Sequence, residues 1–179
     1  RDRPVQPTGD AVIEDGDEVF VLAADENIRQ VMREMRRMMV SVQRIMIAGG
    51  GNIGLRVARA LGEKYEVKLI ETNQARCELI ANNLQSALVL HGDATDEDLL
   101  QQEAIDSMDL FLALTNDDEN NIMAASLAKR MGCKRVVALI NRHIYADLVQ
   151  GGPIDIAISP AQVSIGALLA KVRRGDVAQ

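Results

Sequence analysis

From residue 44 onward the apolar positions fall into short runs separated by longer stretches with helical spacing. The runs 44–48, 67–70, 87–90, 110–114, 136–140 and 154–158 are rich in Val, Ile and Leu. Continuous rather than alternating apolar character predicts parallel strands buried on both faces. Ile53, Val57 and Leu61 mark one face of a helix after the first run. Met123, Leu127 and Met131, with Ala124 and Ala128, mark the face of another after the fourth. Ser159-Pro160 supplies an N-cap and a first-turn proline for a last helix, with Ile165, Leu168, Leu169 and Val172 as its expected core face. Six strands joined by crossover helices predict an α/β fold, a Rossmann-like doubly wound parallel sheet with helices on both faces.

The first 39 residues follow a different pattern. Pro4, Pro7 and Gly9 punctuate a loop or short strand, and Asp15-Gly16-Asp17 predicts a turn. Residues 19–23 read as a buried strand. Asp25 then caps a helix whose apolar stripe is Ile28, Val31, Met32, Met35 and Met38/Met39. Strand, turn, strand and helix make a small α+β fragment, too short to close its own core. The Met stripe reads as core or subunit interface. The expected division is therefore 1–39 and 40–179.

Composition narrows the function. Of 179 residues only two Tyr, two Phe and no Trp are aromatic, which leaves no stacking platform for single-stranded nucleic acid. A net charge of −6 opposes a phosphate backbone, so no nucleic-acid partner is expected. Cys77 and Cys133 lie far apart with only His91 and His143 to join them, which argues against a disulfide framework and a zinc site. No apolar run approaches the ~20 residues that span a bilayer. The chain reads as cytosolic, and its start at Arg1-Asp2-Arg3 suggests a piece of something longer.

The strongest chemical signal is Gly49-x-Gly51-x-x-Gly54, directly after the first strand and opening a helix. In this pattern Gly49 makes the tight turn, Gly51 lets backbone amides approach a pyrophosphate, and Gly54 lets helix and strand pack closely. Glu71 ends the second strand 22 residues after Gly49, where a carboxylate receives ribose hydroxyls and repels a 2′-phosphate. NAD(H) or another adenosine nucleotide is expected over NADP. Glu71 as a mere helix cap is the plainer alternative. Asp93 after the third strand, and Thr115-Asn116 after the fourth, face the same crevice. Arg76 either reaches a phosphate or is a surface charge. Thr95 with Asp98, and Asn116 or Asp117, are alternatively helix caps.

The runs 48–54, Leu69-Ile70-Glu71, His91-Gly92-Asp93-Ala94-Thr95 and 113–123 together strongly resemble the TrkA-type members of the RCK/KTN (regulator of K⁺ conductance) family. Residues 156–160, and on to 176, are similar to the segment leading out of such a nucleotide domain. The resemblance implies that 1–39 is the tail of an RCK C-terminal module and 40–179 an RCK N-terminal (TrkA-N) domain. It implies a nucleotide-binding regulatory subunit, not an enzyme, that gates a membrane-embedded Trk-type potassium transporter. Such subunits lie on the cytoplasmic face of the membrane as homo-oligomers, dimers or tetrameric rings, and bind NAD(H) or ATP/ADP. Carried over by position, Gly49, Gly51, Asn52, Ile53 and Gly54 hold the phosphates and Glu71 the ribose. Arg76 lies near the phosphates, Asp93 and Ala94 border the adenine, and Thr115 and Asn116 line the distal half.

Two other readings stand beside it. An NAD-dependent oxidoreductase would need an acid/base, yet neither Tyr65 nor Tyr145 is followed four residues later by Lys. Neither His91 nor His143 has a carboxylate partner at a fixed spacing, and only four residues follow Gly175. The third reading is a vestigial glycine loop in a purely oligomerising module.

Overall fold

The computed structural model describes residues 42–142 and 152–175, together with Val12, Ala24, Asn27, Ile28, Ile144, Tyr145 and Val149. The chain divides into two compact units, Arg1–Ser41 and Val42–Gln179. In the first, Asn27 and Ile28 are helical and both donate their N–H groups to the Ala24 carbonyl. The strand, turn and Met-stripe expectations for 1–39 otherwise lie outside the described residues.

The second unit alternates strand and helix. Its elements are β1 (Arg44–Ala48), α1 (Asn52–Gly62), β2 (Glu66–Glu71), α2 (Gln74–Asn83), β3 (Leu88–His91) and α3 (Glu97–Gln102). After a short 3₁₀ turn come β4 (Leu110–Ala113), α4 (Asp118–Arg130), β5 (Val136–Leu139), β6 (Ile156–Ile158) and α5 (Pro160–Gly175). All five strand pairings are parallel, in the order β3-β2-β1-β4-β5-β6. This is the Rossmann order, with its topological switch between β1 and β4.

Strand side chains alternate between two apolar layers. Ile45, Ile47, Val67, Leu69, Leu112 and Val137 pack with Ala58 of α1 and Ile80 of α2 on one face. Met46, Ala48, Ile70, Phe111, Val136 and Ala138 pack with Leu100 of α3 and Ala124 and Ala128 of α4 on the other. The pairing of Ala48 with both Ile70 and Ala113 brings the carboxyl ends of β1, β2 and β4 level. A crevice opens there.

Three expectations are corrected. Burial on both faces holds for the inner strands but not for β3 and β6. As sheet edges these leave Leu88, His91 and all of Ile156–Ile158 exposed. The expected α4 face holds at Ala124 and Ala128, joined by Asn121 and Ala125 and with Leu127 and Met131 packed against the core, but Met123 is 63% exposed. Small side chains let the helix lie close on the sheet, so the long Met turns outward. Along α5, Ile165, Leu168 and Leu169 are more than half exposed rather than core. Ser159 does start that helix, its carbonyl accepting the Val163 N–H at 3.0 Å.

Candidate functional site

The glycine turn after β1 is built as its spacing predicts. Gly49 takes φ +102°, a left-handed conformation that glycine adopts without penalty. Its N–H donates to Ile70 O at 2.8 Å, which ties the turn to β2. A Cβ on Gly54 would run into the Gly49 carbonyl oxygen, so the third glycine is what lets α1 lie against the turn. At Gly51 nothing stands within 4 Å of a Cβ, so a side chain there would project into open space.

The first turn of α1 is left open as well. Gly51 is its N-cap, with no side-chain cap and no acidic residue in the first turn. By contrast α2, α3 and α4 are capped by Asn73, Asp96 and Asp117. An uncapped helix start aims free N–H groups and a partial positive charge at whatever lies beyond it, and a phosphate fits there. The chain's own atoms therefore suit a nucleotide at this place.

Glu71 stands opposite. Its Oε2 accepts the Gly50 N–H at 2.9 Å and its Oε1 the Asn73 N–H at 2.9 Å. The side chain is 11% exposed and lies 3.9 Å from Arg76 Nε. Arg76 is half exposed and donates through Nε to Gly50 O at 3.0 Å, which holds its guanidinium over the glycine turn. Asp93 Oδ1 accepts both the N–H and the hydroxyl of Thr95.

These groups meet in one crevice of about 490 Å³ at the carboxyl ends of the strands. Gly49, Gly51 and Asn52 line it from the glycine turn, and Glu71 and Arg76 from β2 and α2. Asp93 and Ala94 line the β3 side, and Thr115 and Asn116 the β4 side. Ile53 and Gly54 are not among its walls. The Ile53 side chain is 44% exposed, and Gly54 lies behind the turn.

The family pattern of the TrkA-N domain matches residues 45–160, most of the chain and all of this crevice. The chain belongs to the TrkA-N family. It is 55% identical over 177 residues to the Trk system potassium uptake protein TrkA of Halomonas elongata, covering 99% of this chain and 39% of that protein. The chain thus spans about two fifths of that relative's length. Among solved structures, GsuK bound to ADP is 27% identical with a TM-score of 0.59, over 74% of this chain and 34% of that one. The GsuK channel bound to NAD shares the fold at a TM-score of 0.57, with 14% identity over 75% and 26% of the two chains.

The TrkA-N domain also uses polar residues that sequence spacing did not single out. Asn73 caps α2 by accepting the Arg76 N–H at 2.9 Å, and both residues line the crevice. Its position after a strand-end acid and before a helical run was the available signal. Of the two residues expected as alternative caps of α4, Asp117 fills the place and Asn116 does not. Asp96, rather than Thr95, caps α3.

Two buried carboxylates brace the TrkA-N sheet outside the crevice. Asp118 accepts the N–H groups of Asn141 and Arg142 and the Asn141 amide, at 2.8–2.9 Å. Burial pushes its pKa up, but those hydrogen bonds outweigh it and hold the carboxyl below its ordinary value. Asp109 accepts from Lys134 Nζ at 2.7 Å and from the N–H groups of Gln43 and Arg44. The Lys134 contact foremost, then the two backbone donors, hold it far below the usual carboxylate range.

Among the described residues of the domain, no helix is long and apolar enough to cross a membrane and no cluster could hold a metal ion. Exposed His91 has Nε2 3.0 Å from Thr72 O, and Tyr145 donates its hydroxyl to Glu119. His143 lies outside the described residues.

Proposed function

We propose that this chain is the nucleotide-sensing section of a regulatory subunit that gates a Trk-type potassium transporter, with NAD(H) as its first ligand. The observation that carries the reading is the convergence of Glu71, Arg76 and an uncapped glycine-turn helix on one crevice. Similarity to a potassium uptake protein supports the biological setting. In this reading Gly49, Gly51, Asn52, Ile53 and Gly54 form the phosphate cradle, Ile53 through its backbone N–H and Gly54 by shaping the turn. Glu71 receives the adenosine ribose hydroxyls, and Arg76 faces the phosphates. Asp93 and Ala94 border the adenine, and Thr115 and Asn116 meet the part beyond the pyrophosphate.

ADP or ATP is the second reading, favoured by the ADP-bound GsuK structure at 27% identity. Residues 1–39 would be the tail of an RCK C-terminal module, followed by the nucleotide domain at 40–179. The subunit would act as a homo-oligomer on the cytoplasmic face of the membrane, without turnover. When bound, the nucleotide supplies phosphate charge and a hydrogen-bonding ribose, and nothing is transferred. Ligands that favour different inter-domain arrangements would shift the gate by their differential affinity alone.

Calorimetric titration with NADH, NAD⁺, ADP and ATP tests this directly. Saturable heat with at least one of them is expected. No heat with any of the four at millimolar concentration would overturn the reading.

A further inference from the structure

Asn121 touches no part of the crevice surface, yet it sits behind one wall of it. The side chain is 0% exposed. Its Oδ1 accepts the Thr115 N–H at 2.9 Å and the Thr115 hydroxyl at 2.7 Å. Its Nδ2 donates to Thr115 O at 3.0 Å and to Leu139 O at 2.9 Å. Two donors and two acceptors are the full capacity of an asparagine amide. One residue of α4 thereby fixes the end of β4 to the end of β5.

Thr115 transmits this to the glycine turn. A Cβ on Gly49 would come within 3.0 Å of both the Thr115 methyl and the Thr115 backbone N. The turn after β1 therefore rests directly against Thr115. The contacts run unbroken from Leu139 through Asn121 and Thr115 to Gly49.

We propose that Asn121 is a positioning residue for the nucleotide, acting through Thr115 to set the spacing between the glycine turn and the β4 wall. This rests on the nucleotide-binding reading above. The sheet order makes the effect selective. An adenosine ribose at Glu71 lies on the β2 side, so ADP occupies the β2–β3 half and the glycine turn. A dinucleotide must continue across β1 to β4, where Thr115 stands. Loosening Thr115 therefore disturbs NAD(H) and spares ADP.

The test measures NADH and ADP affinities by calorimetry for the 179-residue chain, wild type and Asn121→Ala. NADH affinity should fall about ten-fold, near 1.4 kcal/mol, and ADP affinity less than about two-fold. Asn121→Ser, whose shorter hydroxyl side chain cannot make all four bonds to Thr115 and Leu139, should show the same asymmetry. It carries the test if Asn121→Ala does not fold. A merely structural asparagine would lower both affinities together or neither, and either result in folded protein overturns the proposal. A wild-type chain that binds neither nucleotide overturns the functional reading along with it. A wild type that binds both, with variants that fail to discriminate, overturns the positioning role alone.

Discussion

The carbonyl oxygen of Gly49 occupies the space that a side chain on Gly54 would need. The two glycines are therefore one device: the first turns the chain, and the second lets the helix return over that turn. Gly54→Ala should force the helix off the turn and cost about 1–3 kcal/mol. A urea midpoint indistinguishable from wild type would show that the turn can yield.

Glu71 is bonded to both Gly50 and Asn73, so its charge is already aimed and solvent is largely excluded from it. Glu71→Gln should lower NADH affinity by roughly ten- to a hundred-fold, the range for hydrogen bonds to a charged group. Preference for NADH over NADPH should narrow as well, since the carboxylate no longer repels a 2′-phosphate. Competition titrations of the two ligands read both effects.

Asp109 gives the fold an acid limit. Its folded pKa is depressed, so the stability it contributes is complete above its unfolded value of about 4 and is lost as pH falls below it. Asp118 adds a contribution of the same sign. Denaturant midpoints between pH 6 and pH 3 should fall with acid, and Asp109→Asn should flatten that fall while lowering stability at neutral pH.

Burial pushes the Cys133 thiol up to about 11, and burial raises the Cys77 thiol too. Neither is a ready thiolate at neutral pH. Labelling of native protein by a disulfide reagent at pH 7 should be slow and should speed up with denaturant. Stoichiometric labelling within seconds under native conditions would contradict the burial of both.

The two faces of α4 should respond oppositely. Met123→Gln, on the exposed side, should change stability by no more than about 0.5 kcal/mol. Ala128→Leu, against the sheet at 0% exposure, should cost about 1–3 kcal/mol by overpacking. Thermal melts of the pair would show a reversed order if Met123 were the core residue.

The inner strands were legible because a strand covered on both faces must be apolar throughout, and 44–48, 110–114 and 136–140 say so plainly. Edge position is not written in a strand's own residues, so nothing local marked Leu88 or Ile156 as exposed. On α4 the expected face was right at Ala124 and Ala128, with Leu127 and Met131 partly buried against the core, and failed at Met123. Close helix–sheet packing selects small residues instead, and Ala124, Ala125 and Ala128 take the core. The glycine turn and Glu71 could be read because their chemistry fixes their spacing. Asn121, Asp118 and Asp109 could not, since their partners lie 6 to 66 residues away and no local spacing rule joins them.

Among α1 to α4, only α1, which starts at the glycine turn, begins without a side chain to close it. The others carry caps of their own in Asn73, Asp96 and Asp117. In the proposed reading a bound nucleotide would serve as the cap that α1 lacks, and its departure would leave the start of the helix to fray. Hydrogen exchange at Asn52, Ile53 and Gly54 should then work as an occupancy gauge, slow when the crevice is filled and fast when it is empty.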